Sequence, residues 1–206
     1  MPAYSESFYI AVLEDDPALR EMWGWMLEDE GYVVASYSHP AELYSALAEQ
    51  AMPQLLLLDL GLPPQPDSAE EGLAVLEQLA ASAPDLKVIV LTGQNQDANV
   101  YRAIKAGAFD FIAKPVSVDH LLLAVKRAAM FCQQEQRLQV EEGARRLVID
   151  APMDQGMKAV RNEAEKRLLT AIVHETDFNV HEMARRMGIK RENVYYLLKK
   201  YELTRD

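Results

Sequence analysis

A single cysteine, Cys132, stands in the whole sequence, so no disulfide can form within the chain. The four histidines, His39, His120, His174 and His181, lack the spacing of a metal site, and Cys132 has no partner base near it in sequence. Long apolar runs are missing as well: the longest are strand-sized stretches such as LLLL and VIVL, well short of the roughly 18 apolar residues of a membrane span. The start of the chain lacks the basic residues and apolar stretch of a secretory signal. A reducing cytoplasm and no membrane partner are therefore expected. Internal repeats, low-complexity tracts and the phosphate loop GxxxxGK[ST] are also absent.

What is present has room for two cores. Half of the 206 residues are hydrophobic, enough for one core of roughly 120 to 130 residues and a second, smaller one. The net charge of -11 hides an asymmetry. Residues 1–156 carry 10 Lys/Arg against 24 Asp/Glu, whereas residues 157–206 carry 11 against 8, so the charge passes from -14 to +3. An acidic module precedes a mildly basic one.

From residue 8 to about 131, short apolar runs alternate with helix-period segments, the pattern of a parallel sheet covered by helices on both faces. The strands are read as FYIAVL, YVVASY, QLLLLDL, LKVIVLT and DFIAKP. The second is the most mixed and suits an edge, while the others read as buried. Helices are expected from Pro17, after His39-Pro40, near Glu71 to Ser82, near Ala98 to Ala106, and from Val118 to about Leu147, with Gly31 and Gly107 at helix ends. A possible heptad seam on the last of these loses its apolar character after Phe131, which argues against a long coiled coil. The fold class is thus α/β: a doubly wound, flavodoxin-like five-stranded parallel sheet followed by a small all-α domain. The expected boundaries are 1–131 for the first domain, 132–156 for a linker with a hinge at VIDAPMDQG, and 157–206 for the second.

In such a sheet the loops beyond the carboxyl ends of the strands form the ligand crevice. Strand one ends in Glu14, Asp15 and Asp16, strand three in Asp59, strand four in Thr92 and strand five in Lys114. Crowded carboxylates repel one another unless a hard cation joins them, and oxygen ligands suit Mg²⁺. A carboxylate can attack a phosphoryl group to give an acyl phosphate, provided that charge on the transferred oxygens is neutralised. Mg²⁺ and Lys114 would do this, and Thr92 can donate its hydroxyl to the same group.

The acidic cluster, LLLLDL, VIVLTG and FDFIAKP, in this order, closely resemble the receiver domain of two-component response regulators. The resemblance implies Asp59 as phosphoacceptor, loaded by a sensor histidine kinase. It implies Glu14 and Asp15 as the acid pair, Gly61 as donor of a backbone carbonyl to Mg²⁺, a cis Lys114-Pro115 bond, and Phe111 as an aromatic switch coupled to Thr92. One departure is the proline-rich GLPPQPDSAEEG, which brings Gly72 later than the glycine of most receivers and lengthens the loop beside the site. The resemblance is strongest to receivers of sigma-54-type activators. With no ATPase motif after it, ATP-driven activation and an enzymatic output are not expected.

The C-terminal residues NVHEMARRMGIKRENVYYLLKKYEL read as two short helices joined at Gly188. Asn179, Ala184, Met187-Gly188-Ile189 and Leu198-Lys199-Lys200-Tyr201 resemble the Fis-type domain. That resemblance implies a homodimer whose helix from about Arg191 enters the major groove of DNA. Candidate contacts are Lys190, Arg191, Asn193, Tyr195, Tyr196, Lys199 and Lys200, with Arg185 and Arg186 added at phosphates. Tyr195, Tyr196 and Leu197 stand where the family usually has basic residues, and +3 is modest for a DNA binder. The competing reading is a phosphorylation-controlled interaction or relay regulator whose last domain is a dimerisation or docking module. Trp23 and Trp25, two apart on one helix, are expected to be one packed and one exposed.

Overall fold

Leucines fill the central strand because both of its faces are covered. In the computed structural model, which describes residues 8–49, 51–66, 68–93, 96–142 and 156–204, β3 (Leu55–Asp59) is buried at every position. It is joined by β1 (Tyr9–Leu13), β2 (Val33–Tyr37), β4 (Lys87–Thr92) and β5 (Asp110–Ala113) in one parallel sheet of order β2-β1-β3-β4-β5. The helices between are α1 (Pro17–Asp29), α2 (Pro40–Glu49), α3 (Glu70–Ser82) and α4 (Gln96–Lys105), with α5 (Val118–Glu142) after β5.

Alternation along each strand sorts the core into two layers. Ala11, Leu13, Leu56, Leu58, Val88 and Val90 face Leu43 of α2, Leu73 and Leu76 of α3 and Ala103 of α4. Their neighbours Ile10, Val12, Leu55, Leu57, Ile89 and Leu91 face Trp23 and Leu27 of α1 and Leu121, Ala124, Val125 and Ala128 of α5. Trp23 is 2% exposed and Trp25 is 66% exposed, the split expected of residues about 200° apart on a helix.

The expected edge position of β2 holds, but β5, read as a buried strand, is the opposite edge and only Ile112 within it is buried. Its aromatic and aliphatic residues resemble those of a central strand, while only one neighbour, β4, pairs with it. The fifth helix runs as one element through 142; the expected continuation to Leu147 and the VIDAPMDQG hinge up to residue 155 lie outside the described residues. Two residues of the expected linker, Cys132 and Glu135, contact residues at the start of β3 and β4. Cys132 Sγ lies 3.8 Å from the Gln54 carbonyl, and Glu135 pairs with Lys87 at 2.7 Å.

The chain divides into two compact units, 1–142 and 143–206. The second contains α6 (Gly156–Thr176), α7 (Val180–Met187) and α8 (Arg191–Lys200), closed around Leu169, Ile172, Val173, Met183, Ala184, Val194 and Leu197. Asn179 caps α7 by accepting the Glu182 amide at 3.2 Å. Gly188 ends it with φ +64°, a conformation that glycine adopts without steric cost.

Candidate functional site

The strand order reverses between β1 and β3, so the crevice of the sheet opens where Glu14, Asp15 and Asp59 follow their strands. Pairing of Leu13 with Leu58 sets Glu14 and Asp59 side by side. One carboxylate oxygen from each of Glu14, Asp15 and Asp59 lies within 4.8 Å of the others. Asp16, expected beside this cluster, turns away: its carboxylate caps α1, accepting the Ala18 and Leu19 amides at 2.8 and 3.0 Å. The Leu19 amide bond chiefly holds the Asp16 carboxyl below the usual carboxylate range.

Lys114 completes the cluster from beyond β5. Its Nζ lies 2.9 Å from Asp59 Oδ2 and 3.0 Å from Glu14 Oε2. Burial pulls this ammonium down, but its hydrogen bond to Asp59 and the charges of Asp59 and Glu14 prevail and hold it above its ordinary value. Glu14 is pushed up to about 7, first by burial and then by the charge of Asp59, against the opposing pull of Lys114. Three carboxylates facing one ammonium leave an excess of negative charge that a divalent cation would balance. Oxygen donors at this spacing fit Mg²⁺.

Thr92 is 1% exposed and its Oγ1 has no hydrogen-bond partner among the described residues. A buried hydroxyl left unpaired costs free energy, so its position at the crevice marks it as a donor awaiting an acceptor. Gly61 donates its amide to Asp59 Oδ1 at 3.2 Å, and a Cβ there would meet the Pro66 carbonyl at 2.6 Å. The loop thus turns back closely on Gly61 at Pro66. It also contains a second cis bond, Pro63-Pro64, besides the expected cis Lys114-Pro115. Phe111 is 39% exposed on β5, facing outward rather than sitting in the core.

Two residues escaped the sequence reading. Arg20 of α1 donates from Nη1 to the Glu14 and Asp15 carbonyls at 2.8 and 3.0 Å, steadying the acidic loop. Arg102 of α4 grips Glu70 at the start of α3 through two bonds of 2.6 and 2.8 Å. Neither lies in a run of residues that announces it; a lone arginine on a helix has no sequence signal for its target.

In the second unit, Lys190, Arg191, Asn193, Tyr195, Tyr196 and Lys199 all lie exposed at or on α8. Arg191 Nη2 sits 2.8 Å from His181 Nδ1. Lys200 departs from this group. Its Nζ is held 2.6 Å from Glu165 and 3.2 Å from Asn162 of α6, so its charge is engaged within the unit. Leu197, grouped with the tyrosines, is a core residue.

Comparison with known proteins agrees with this geometry. Residues 10–126 match the response regulator receiver domain family, and residues 160–201 match the family described as bacterial regulatory protein, Fis family. The first match takes in more than half of the chain: this protein belongs to the response regulator receiver family, with a Fis-type domain following the receiver. The alginate biosynthesis transcriptional regulatory protein AlgB of Pseudomonas putida is 34% identical over 134 residues, covering 65% of this chain and 29% of AlgB. The C4-dicarboxylate transport transcriptional regulatory protein DctD of Rhizobium meliloti is 28% identical over 198 residues, covering 95% of this chain and 41% of DctD. The crystal structure of the receiver domain of NtrX from Brucella abortus superposes with a TM-score of 0.52 at 32% identity, over 58% of this chain and 96% of that one. The chain therefore spans less than half the length of the curated relatives it resembles. Only residues 127–159 separate its two matched regions, too few for a further domain of ordinary size.

Proposed function

We propose that this chain is a two-component transcriptional response regulator in which a histidine kinase phosphorylates Asp59 and the phosphorylated receiver controls dimerisation and DNA binding by the Fis-type domain. The observation that carries this reading is the trio at the crevice: the Asp59 carboxylate, the Lys114 ammonium 2.9 Å away, and the buried Thr92 hydroxyl, which has no partner among the described residues. An Asp59 oxygen attacks the phosphorus of a phosphohistidine. The O–P bond forms as the P–N bond breaks, and the imidazole leaves with the electron pair. Lys114 stays beside the transferred oxygens, and Thr92 donates its hydroxyl to one of them. Glu14, Asp15, Asp59 and the Gly61 carbonyl would hold Mg²⁺, which when bound supplies further neutralisation of the phosphoryl charge.

Thr92 gains an acceptor only in the phosphorylated state, so its hydroxyl favours that state and shifts the population toward it. Phe111 turns inward as Thr92 moves, which changes the face formed by α4, β5 and α5. In the second unit α8 enters the major groove. Lys190, Arg191, Asn193 and Lys199 supply polar contacts, and Tyr195 and Tyr196 supply aromatic ones. Among the described residues no helix is long and apolar enough to cross a membrane, and the cytoplasm is the proposed compartment.

The test is fluorescence anisotropy of the full chain with genomic DNA fragments and with random duplex, with and without beryllofluoride and Mg²⁺, across a salt series. Fragment-selective binding that tightens with beryllofluoride supports the reading. Binding that is weak, unselective and indifferent to beryllofluoride overturns the DNA output and leaves the Fis-type unit as a docking module.

A further inference from the structure

Half of the cations on the helix-turn-helix segment are engaged by carboxylates of the same unit, and one carboxylate dominates. Glu182, in the first turn of α7, receives two bonds from Arg185, Nη2 to Oε1 at 2.5 Å and Nε to Oε2 at 2.8 Å. It also receives Arg186 Nε at 2.9 Å. Arg186 reaches Glu175 of α6 at 2.6 Å as well, whereas both of the bonds described for Arg185 go to Glu182. The two guanidinium groups, Arg185 first, hold the Glu182 carboxyl down to about 2, so it stays ionised throughout the working range of pH.

The position of Arg185 gives this clasp its meaning. Arg185 lines one shallow, open surface hollow together with His181, Ala184, Lys190, Arg191 and Glu192. Lys190 and Arg191 are among the proposed DNA contacts, so a phosphate placed against them comes to the guanidinium of Arg185, and Glu182 already holds it. Exposed ion pairs are weak, and exchange of one anion for another is open to Arg185. A cation already neutralised by a fixed carboxylate nevertheless releases fewer counterions on binding DNA, and adds less to affinity.

We infer that Glu182 is an internal competitor for DNA phosphate: it holds Arg185 in reserve, weakens sequence-independent attachment, and leaves selection to the base contacts of α8. This rests on the DNA-binding reading above.

The test compares four full-length proteins: the wild type, Glu182→Gln, Arg185→Gln and the double variant. Each is titrated with a fixed duplex over a salt series, with circular dichroism to establish that the helices are retained. Glutamine keeps the length of the side chain and suits the third position of a helix. Glu182→Gln is expected to bind more tightly at low salt, with a plot of log affinity against log salt steeper by about 0.9 for the one arginine released, Arg185, since Arg186 keeps Glu175. The double variant is expected to be no tighter than Arg185→Gln alone. An unchanged slope in Glu182→Gln, with the wild type binding, overturns the inference. Equal tightening in the Arg185→Gln background also overturns it, because the effect is then only the loss of a negative charge. Absence of binding by all four proteins overturns the DNA reading itself, and the inference with it.

Discussion

Asp59 and Lys114 meet at 2.9 Å although the strands that deliver them, β3 and β5, are separated in the sheet by β4. Lys114 reaches over the end of β4, beside Thr92, and so closes the crevice from the far side. The carboxylate, the ammonium and the hydroxyl thereby frame one position for a phosphoryl group.

Phosphoryl uptake should depend on Asp59 and on a divalent cation. With a small phosphodonor and Mg²⁺, intact-mass spectrometry is expected to show one added phosphate on the wild type and none on Asp59→Asn, and chelation of the metal should abolish the wild-type signal. Equal labelling of the two proteins would overturn the assignment of Asp59.

Gly72 reverses the usual rule for helices. Replacing a helix glycine by alanine ordinarily stabilises, by up to about 1 kcal/mol. Here a Cβ would stand 2.5 Å from Leu60 Cα and 2.9 Å from the Asp59 and Leu60 carbonyls, all backbone atoms that cannot swing aside. Gly72→Ala is expected to destabilise the receiver by about 1 to 3 kcal/mol. A urea midpoint at or above that of the wild type contradicts this packing of α3 on the loop after β3.

The two tryptophans should behave oppositely. Trp23→Ala empties part of the layer between the sheet, α1 and α5, and should cost about 3 to 5 kcal/mol. Trp25→Ala removes an exposed ring and should change stability by less than about 0.5 kcal/mol. Denaturation of the two variants, followed by the circular dichroism of the receiver, distinguishes them.

The cap at the start of α7 should be worth measuring by itself. Asn179→Ala removes the acceptor of the Glu182 amide and is expected to destabilise the second unit by about 1 kcal/mol. The receiver transition should stay in place, since the substitution lies within the other compact unit. A coincident shift of both transitions contradicts that independence.

The sequence by itself determined what depends on neighbours along the chain. Short apolar runs between helix-period segments marked the five strands, Pro17 marked a helix start, and the polar residues ending four of the strands marked the rim of the crevice. The separation of Trp23 from Trp25 followed from helix geometry, and Glu182 with Arg185 and Arg186 had the three- and four-residue spacing of helix ion pairs. Tertiary structure alone decided which distant groups met. It made β5 an edge, engaged Lys200 with Glu165, and left the Thr92 hydroxyl with no partner among the described residues. Residue type and spacing report whether a side chain can pair or be buried; the partner depends on where the fold places backbone far away in sequence.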